Sequence, residues 1–198
     1  MKHFIADLHL QHPKLAELRG FESTGAHDNA LLEALWRIDP TTDELWVLGD
    51  ICSGGIASMR HALELLGTLE IPMHLVTGNH DPVNPMNRNA HKYFGEFTAV
   101  FETVQQYART LIGGRSVLMS HYPYQGAGDH VGDGAGFERF TQYRLPDLGE
   151  WLMHGHTHDT SRRSGRRSIC VSAEAWGLRP ASEVEITEEM HGSGAGRR

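Results

Sequence analysis

The chain has 198 residues, 39% hydrophobic and 22% charged, the balance of a single soluble globular domain with a sizeable core. A net charge of -7 excludes an overall basic field for gripping a nucleic-acid backbone, and no run reaches the ~18 apolar residues of a membrane helix. Two cysteines, Cys52 and Cys170, with no CxxC between them, exclude a disulfide framework and read as reduced, buried, small side chains.

The first predicted element is a short strand over 3–6, followed by Asp7-Leu8-His9. The apolar run breaks at Asp7, too soon for a signal peptide, so a cytoplasmic protein is expected. Strand-like alternation would put Asp7 and His9 on one side. His12 and His27 fall in polar sequence and read as solvent-facing. Apolar residues at helical spacing predict a helix over 30–38, capped by Asp28 or Thr24 and stopped by Asp39-Pro40. Leu45-Trp46-Val47-Leu48 reads as a buried strand ending in Gly49-Asp50. A helix over 56–66 then leads to a strand over 73–77 that runs into Gly78-Asn79-His80-Asp81, closed by Pro82. Strand, crossover and strand at this spacing predict parallel neighbours, whose carboxyl ends are where open α/β sheets bind ligands.

Beyond Pro82 the pattern weakens. Arg88 and Lys92, around a loop and a short helix over 91–97, read either as substrate-phosphate contacts or as solvated surface charge. A strand is predicted over 100–104. Two strands, Tyr107–Ile112 and Arg115–Ser120, flank Gly113-Gly114 in a hairpin signature, and His121 ends the second of them. The glycine-rich stretch 125–136 has no periodicity and reads as a loop beside the site, either a lid or disorder; His130, Asp129 and Asp133 lie in it. Trp151-Leu152-Met153 resumes the sheet and delivers His154-Gly155-His156-Thr157-His158. Arg162 to Arg167 form a basic turn before a strand over 168–173, either an exposed hairpin tip or a contact for an anionic substrate. An edge strand is expected over 184–186, and the tail from Gly192 holds no core-forming residue. Repeats and linkers are absent, so residues 1–190 are expected to form one domain, with 191–198 a flexible tail.

Asp7, His9, Asp50, Asn79, His80, Asp81, His121, His156 and His158 all fall at strand ends. They are too many ligands for one cation and about right for two. Imidazole with carboxylate, lacking thiolate, suits two divalent transition-metal ions, Mn²⁺ foremost and Fe, Zn or Ni also. A closely spaced pair of such ions binds both a nucleophilic water and a phosphoryl oxygen, and brings the pKa of a bridging water towards neutrality. One shared carboxylate must hold the pair together, and Asp50 is the natural candidate.

The ordered set Asp7-Leu8-His9, Gly49-Asp50, Gly78-Asn79-His80-Asp81, His121 and Gly155-His156-Thr157-His158 resembles the motifs of the calcineurin-like metallophosphoesterases, over most of the chain and with no motif missing. The resemblance implies an α/β fold, a sandwich of two mixed β-sheets flanked by α-helices, with a dimetal centre at the strand ends. It implies that Asp7, His9 and His158 hold one metal and Asn79, His121 and His156 the other, with Asp50 bridging. His80 would stay unliganded and assist the leaving group, with Asp81 orienting its ring, and His154 would stand behind the ligands.

The second motif, Gly49-Asp50-Ile51-Cys52-Ser53-Gly54-Gly55, lacks the Asp-Arg pair of the family's protein Ser/Thr phosphatases, and the third ends in Asp81 where theirs has Glu. This favours the small bacterial or phage-type phosphodiesterases. The expected activity is hydrolysis of small phosphodiesters, 2′,3′- or 3′,5′-cyclic nucleotides among them, with a metal-bridging hydroxide as nucleophile. A phosphomonoesterase or nucleotide pyrophosphatase on the same centre is the alternative, ahead of a non-catalytic scaffold. The partner is a small nucleotide-like substrate. A stable nucleic-acid complex and a membrane are not expected; a homo-oligomer is compatible with the sequence.

Overall fold

The computed structural model describes residues 1–52, 55–129 and 138–192. The first sheet is built from β1 (Lys2–Ile5), β2 (Glu44–Val47), β3 (Met73–Val76), β4 (Thr103–Gln105) and the short β10 (Ala181–Ser182). Its order is β10-β1-β2-β3-β4, with β1 to β4 parallel and β10 antiparallel at the edge. The parallel core follows from the crossovers, α1 (Pro13–Leu18) with α2 (Thr24–Leu35), then α3 (Ile56–Leu66), then α4 (Phe94–Thr98). The second sheet contains β5 (Tyr107–Ile112), β6 (Arg115–Ser120), β7 (Trp151–His154), β8 (Arg163–Gly165) and β9 (Ser168–Cys170), in the order β5-β6-β7-β9-β8. Its outer pairs are antiparallel and its inner pairs, β6–β7 and β7–β9, are parallel. Helix α5 (Glu183–Gly192) covers the end of this sandwich. The fold is thus mixed α/β, two five-stranded mixed sheets flanked by helices, as the sequence led us to expect.

Period-two alternation divides β1 between two cores. Ile5 faces the helices and packs with Leu31, Leu35, Met59 and Leu63, whereas Phe4 faces the second sheet and packs with Val76, Met119, Met153 and Ile169. Each such side chain, fully buried, contributes roughly 1.5–3 kcal/mol. With both faces covered, the sheet leaves only its strand ends to solvent. The carboxyl ends of β1, β2 and β3 and those of the parallel strands β6 and β7 bring their following residues into one crevice.

Several elements differ from expectation. Residues 184–186 are helical. Ser182 Oγ accepts from the Glu185 amide at 3.3 Å and Glu185 Oε2 accepts from the Ser182 amide at 2.9 Å, a capping box that starts α5, and Ile186 and Met190 then bury one helical face. Helix α2 begins at Thr24, with Ser23 as its cap (Ala26 N to Oγ 3.1 Å). Strand β4 is shorter than 100–104 and begins at Thr103, because Phe101 turns into the core. His27 is fully buried rather than solvent-facing, and His12 caps α1 by accepting from the Leu15 amide. Arg162 and Arg163 stack on Trp176 and Trp151 at 4.1 and 4.9 Å and pair with α5 through Glu189, so these two arginines serve the sandwich. Most of the expected lid, with His130 and Asp133, lies outside the described residues, as do Ser53, Gly54 and residues 193–198.

Candidate metal centre

Five of the site residues take left-handed backbone: Asp7 (φ 57), His9 (φ 47), Asp50 (φ 56), His156 (φ 72) and His158 (φ 51). Left-handed backbone costs L-residues roughly 1–2 kcal/mol each, and Asp and His are among the few that tolerate it. Strand alternation therefore does not aim Asp7 and His9, or His156 and His158. The chain leaves β1, β2 and β7 through left-handed turns, and those turns swing the side chains inward. Two glycines make the turns close-packed. A Cβ on Gly155 would sit 2.6 Å from Asp7 Oδ2 and one on Gly78 would meet the Asp50 carboxylate, so only glycine lets these backbones approach the acids. The Gly155-His156 and Gly78-Asn79 pairs of the sequence have this physical reason.

Two groups of ligand atoms result. Those of Asp7, His9 and His158 lie within 4.8 Å of one another, and so do those of Asp7, Asp50 and His121. His9 Nε2 is 3.2 Å from His158 Nε2. Asn79 Oδ1 is 3.2 Å from His121 Nε2 and 3.0 Å from His156 Nδ1, adding two more ligand atoms on the second side. Asp50 Oδ2 stands between the groups, 3.6 Å from His9 Nε2 and 3.4 Å from His121 Nε2. All seven residues meant for metals are thus brought together, and Asp7, assigned by resemblance to one ion, belongs to both groups.

Partners on the outer side orient three of the imidazole rings. Cys52 O accepts from His9 Nδ1 at 3.2 Å, Glu174 Oε1 from His158 Nδ1 at 2.8 Å, and Leu48 O from His121 Nδ1 at 2.8 Å. Each acceptor takes a proton from Nδ1, so the three Nε2 atoms point at one another and at carboxylates. His156 is turned the other way. Its Nδ1 faces Asn79, and its Nε2 is buried without a hydrogen-bond partner among the described residues, 3.6 Å from Asp129 Oδ1. Convergent imidazole nitrogens, carboxylate oxygens and an amide oxygen fit divalent transition metals, which would take the place of any proton held between them.

The electrostatics agree. Burial raises Asp7, against the pull of His158 and His121. Burial also opposes ionisation of Asp50, but neighbouring His121 outweighs it and holds this carboxyl below the usual range. Burial lowers His9 to about 3 and His156 to about 2, so both are neutral ligands. His121 is pushed down by burial, yet Asp50 more than compensates and carries it to about 9. The proton His121 holds against Asp50 is the one a cation would displace.

His80 stands apart. Its amide donates to Asp50 Oδ1 at 2.8 Å, and its imidazole hydrogen-bonds to no described side chain. Its ring meets His9 edge-on at 5.2 Å, on the wall of a cleft of about 450 Å³ that opens onto the centre, with Lys14 and Arg139 at the rim. Asp81 does not orient this ring. Its buried carboxylate accepts the amides of Gly78 (2.7 Å), Asp50 (3.0 Å) and Ile51 (3.0 Å), clamping the β2 and β3 turns together. The pull of three backbone donors explains the difference, since they occupy both of its oxygens. His154 is behind the site as expected, its Nε2 2.5 Å from Ser164 Oγ.

Two supports went unseen in the sequence. Arg19, 4% exposed at its side chain, donates to the carbonyls of Asp7 (2.7 Å) and Leu8 (3.1 Å) and to Glu174 (2.7 Å), while Glu174 anchors His158. Buried Arg144 pairs with buried Asp129 beside His156. These contacts join residues far apart in the chain, and no local spacing signals them.

A dinuclear-type cluster at the strand ends of a two-sheet sandwich defines a metallophosphoesterase. Residues 1–181 match the calcineurin-like phosphoesterase superfamily domain, and the chain belongs to that family; its chemistry is metal-dependent phosphoester hydrolysis. The Gene 66 protein of Mycobacterium phage L5 is 40% identical over 194 residues, covering 92% of this chain and 90% of the relative. The Gene 66 protein of Mycobacterium phage D29 is 38% identical over 190 residues, covering 91% and 92%. Among solved structures, a protein of unknown function from Aquifex aeolicus superposes with a TM-score of 0.67 at 25% identity, over 96% of this chain and 98% of that one. Among the described residues, no helix is long and apolar enough to cross a membrane.

Proposed function

We propose that the protein hydrolyses small phosphodiesters, with two divalent cations, manganese foremost, held by Asp7, His9, Asp50, Asn79, His121, His156 and His158. Bound there, the cations would supply Lewis-acid activation of the attacking water and neutralise charge on the phosphoryl oxygens. The observation that carries the reading is the set of inward-facing Nε2 atoms, each oriented by an outward Nδ1 contact. His80, whose imidazole on the cleft wall bonds to no described side chain and whose backbone is tied to Asp50, donates the proton that the departing alcohol oxygen needs. Asp81, Arg19 and Glu174 keep the turns and His158 in place. Cyclic nucleotides are within the substrate range proposed. The open cleft, with its two rim cations Lys14 and Arg139, supports an anionic substrate of modest size. We further propose residues 1–190 as a single domain acting in the cytoplasm.

The experiment is a substrate panel on chelator-stripped protein reconstituted with Mn²⁺. Bis-aryl phosphate hydrolysed much faster than aryl phosphate or dinucleoside polyphosphate supports the diesterase reading. The reverse order makes the protein a monoesterase or pyrophosphatase and overturns it.

A further inference from the structure

His80 borders a second cleft. On its side away from Lys14 and Arg139 lies a separate space of about 430 Å³ that shares only Asn79 and His80 with the cleft over the centre. Its remaining walls are Ile56, Pro82, Asn87, Arg88, Asn89 and Tyr93. Residues 82–93 follow the third motif directly, so the chain that supplies Asn79 and His80 also builds this wall. Asn87 Nδ2 donates to the Asp81 carbonyl at 3.1 Å, which fixes the wall to the Asp81 clamp.

The chemistry of this space is specific. None of its described lining residues is acidic, although the chain as a whole carries a net charge of -7. Tyr93 offers an aromatic face, Ile56 and Pro82 apolar contact, and Asn87 and Asn89 polar amides. Arg88 is exposed and forms no ion pair with any described residue, so its five donors are available to a ligand. The volume suits a group of nucleoside size.

From this we infer that the cleft is a leaving-group subsite, which takes an aromatic-bearing alcohol carrying a second anionic group and pairs that anion with Arg88. The inference rests on the proposed diester hydrolysis. In that reaction water releases one proton to solvent as its oxygen bonds to phosphorus, the bond from phosphorus to the alcohol oxygen breaks with its electron pair on that oxygen, and the oxygen takes the His80 proton, which solvent then replaces. The departing alcohol is therefore on the His80 side, and this cleft is the space beyond His80.

The test compares thymidylyl-(3′→5′)-thymidine with the same compound bearing a 3′-terminal phosphate, on the Mn²⁺-loaded protein, its Arg88→Ala variant and its Arg88→Lys variant. Metal analysis of each preparation accompanies the kinetics. In the wild type the terminal phosphate should lower KM about tenfold, Arg88→Ala should bring the KM ratio of the two compounds to about one, and Arg88→Lys should restore part of it. A ratio unchanged by Arg88→Ala overturns the inference. A wild type that cleaves neither compound overturns the diester reading and leaves a separate arm for the cleft. Titrated into metal-free protein, 4-hydroxybenzenesulfonate should shift the Tyr93 ring resonances and bind about tenfold more weakly to Arg88→Ala. Equal binding by the two proteins, or shifts elsewhere, would also overturn it.

Discussion

Glu174→Gln separates a metal-site account from a merely structural one. Glu174 Oε1 accepts from His158 Nδ1 at 2.8 Å and from Arg19 Nε and Nη2 at 3.0 and 2.7 Å, and its Oε2 is buried without a partner among the described residues. Burial raises this carboxyl, but the His158 bond and the Arg19 charge bring it down to about 2, so it is ionised at neutral pH. Glutamine keeps an acceptor oxygen and removes the charge. Charge-assisted hydrogen bonds contribute about 1.5–3 kcal/mol each and neutral ones about 1, and three are weakened while none is deleted. The expected cost is about 2–4 kcal/mol of stability, measured by urea denaturation. The effect on metal is sharper. An imidazole without its carboxylate partner is less basic, and loss of such a support lowers metal affinity about 10–100-fold. Calorimetric titration of the stripped variant with Mn²⁺ should show one cation weakened by that factor and the other little changed. Two cations bound as tightly as in the wild type, whatever the stability, would refute the reasoning.

Other substitutions probe different parts. Asp50→Ala should lose bound metal, and two metals retained at full stoichiometry would contradict its position between the two ligand groups. His80→Ala should keep both metals and lose most turnover on alkyl diesters while sparing substrates with good leaving groups; equal loss on both would contradict a proton-donor role. Asp81→Asn should destabilise by about 2–4 kcal/mol, since an amide cannot accept from three backbone donors at both ends, and it should slow good and poor leaving groups alike. Glu185, drawn down to about 2 by Arg179 and Ser182, contributes stability that is present above its ordinary value near 4.5 and lost as pH falls towards 2. Thermal melts of Glu185→Gln should therefore trail the wild type by about 1 kcal/mol at pH 6, and the gap should narrow towards pH 3.

The parts of the molecule legible in the sequence are those set by local periodicity. Residues Ile56–Leu66 carry helical spacing and Tyr107–Ile112 with Arg115–Ser120 flank a Gly-Gly turn, and both were read with their observed limits. Crossover length between Asp50 and Asn79 gave the parallel strands and so the end of the sheet where the site lies. At α5 the alternation Val184-Glu185-Ile186 reads as a strand but competes with the capping box Ser182-Glu183-Val184-Glu185, and the box wins once Ile186 and Met190 have a core to enter. His27 reads as solvent-facing because Arg19, which closes over its ring, becomes a neighbour only when α1 packs on α2; Asp28, next in the chain, then takes its other ring nitrogen. The ligand residues were found by type, yet the reason they converge was not. Alternation does not operate where Asp7, His9, Asp50, His156 and His158 sit in left-handed turns, and the Asp81 clamp depends on backbone amides from two separate turns.

The central claim is that the convergent ligand atoms at these strand ends are a cage for two cations. Anomalous diffraction from crystals of Mn²⁺-reconstituted protein measures it most directly. Two peaks per chain are predicted, one among Asp7, His9 and His158 and the other among Asn79, His121 and His156, with Asp50 contacting both. A single peak, or manganese bound only away from these residues, would contradict the account.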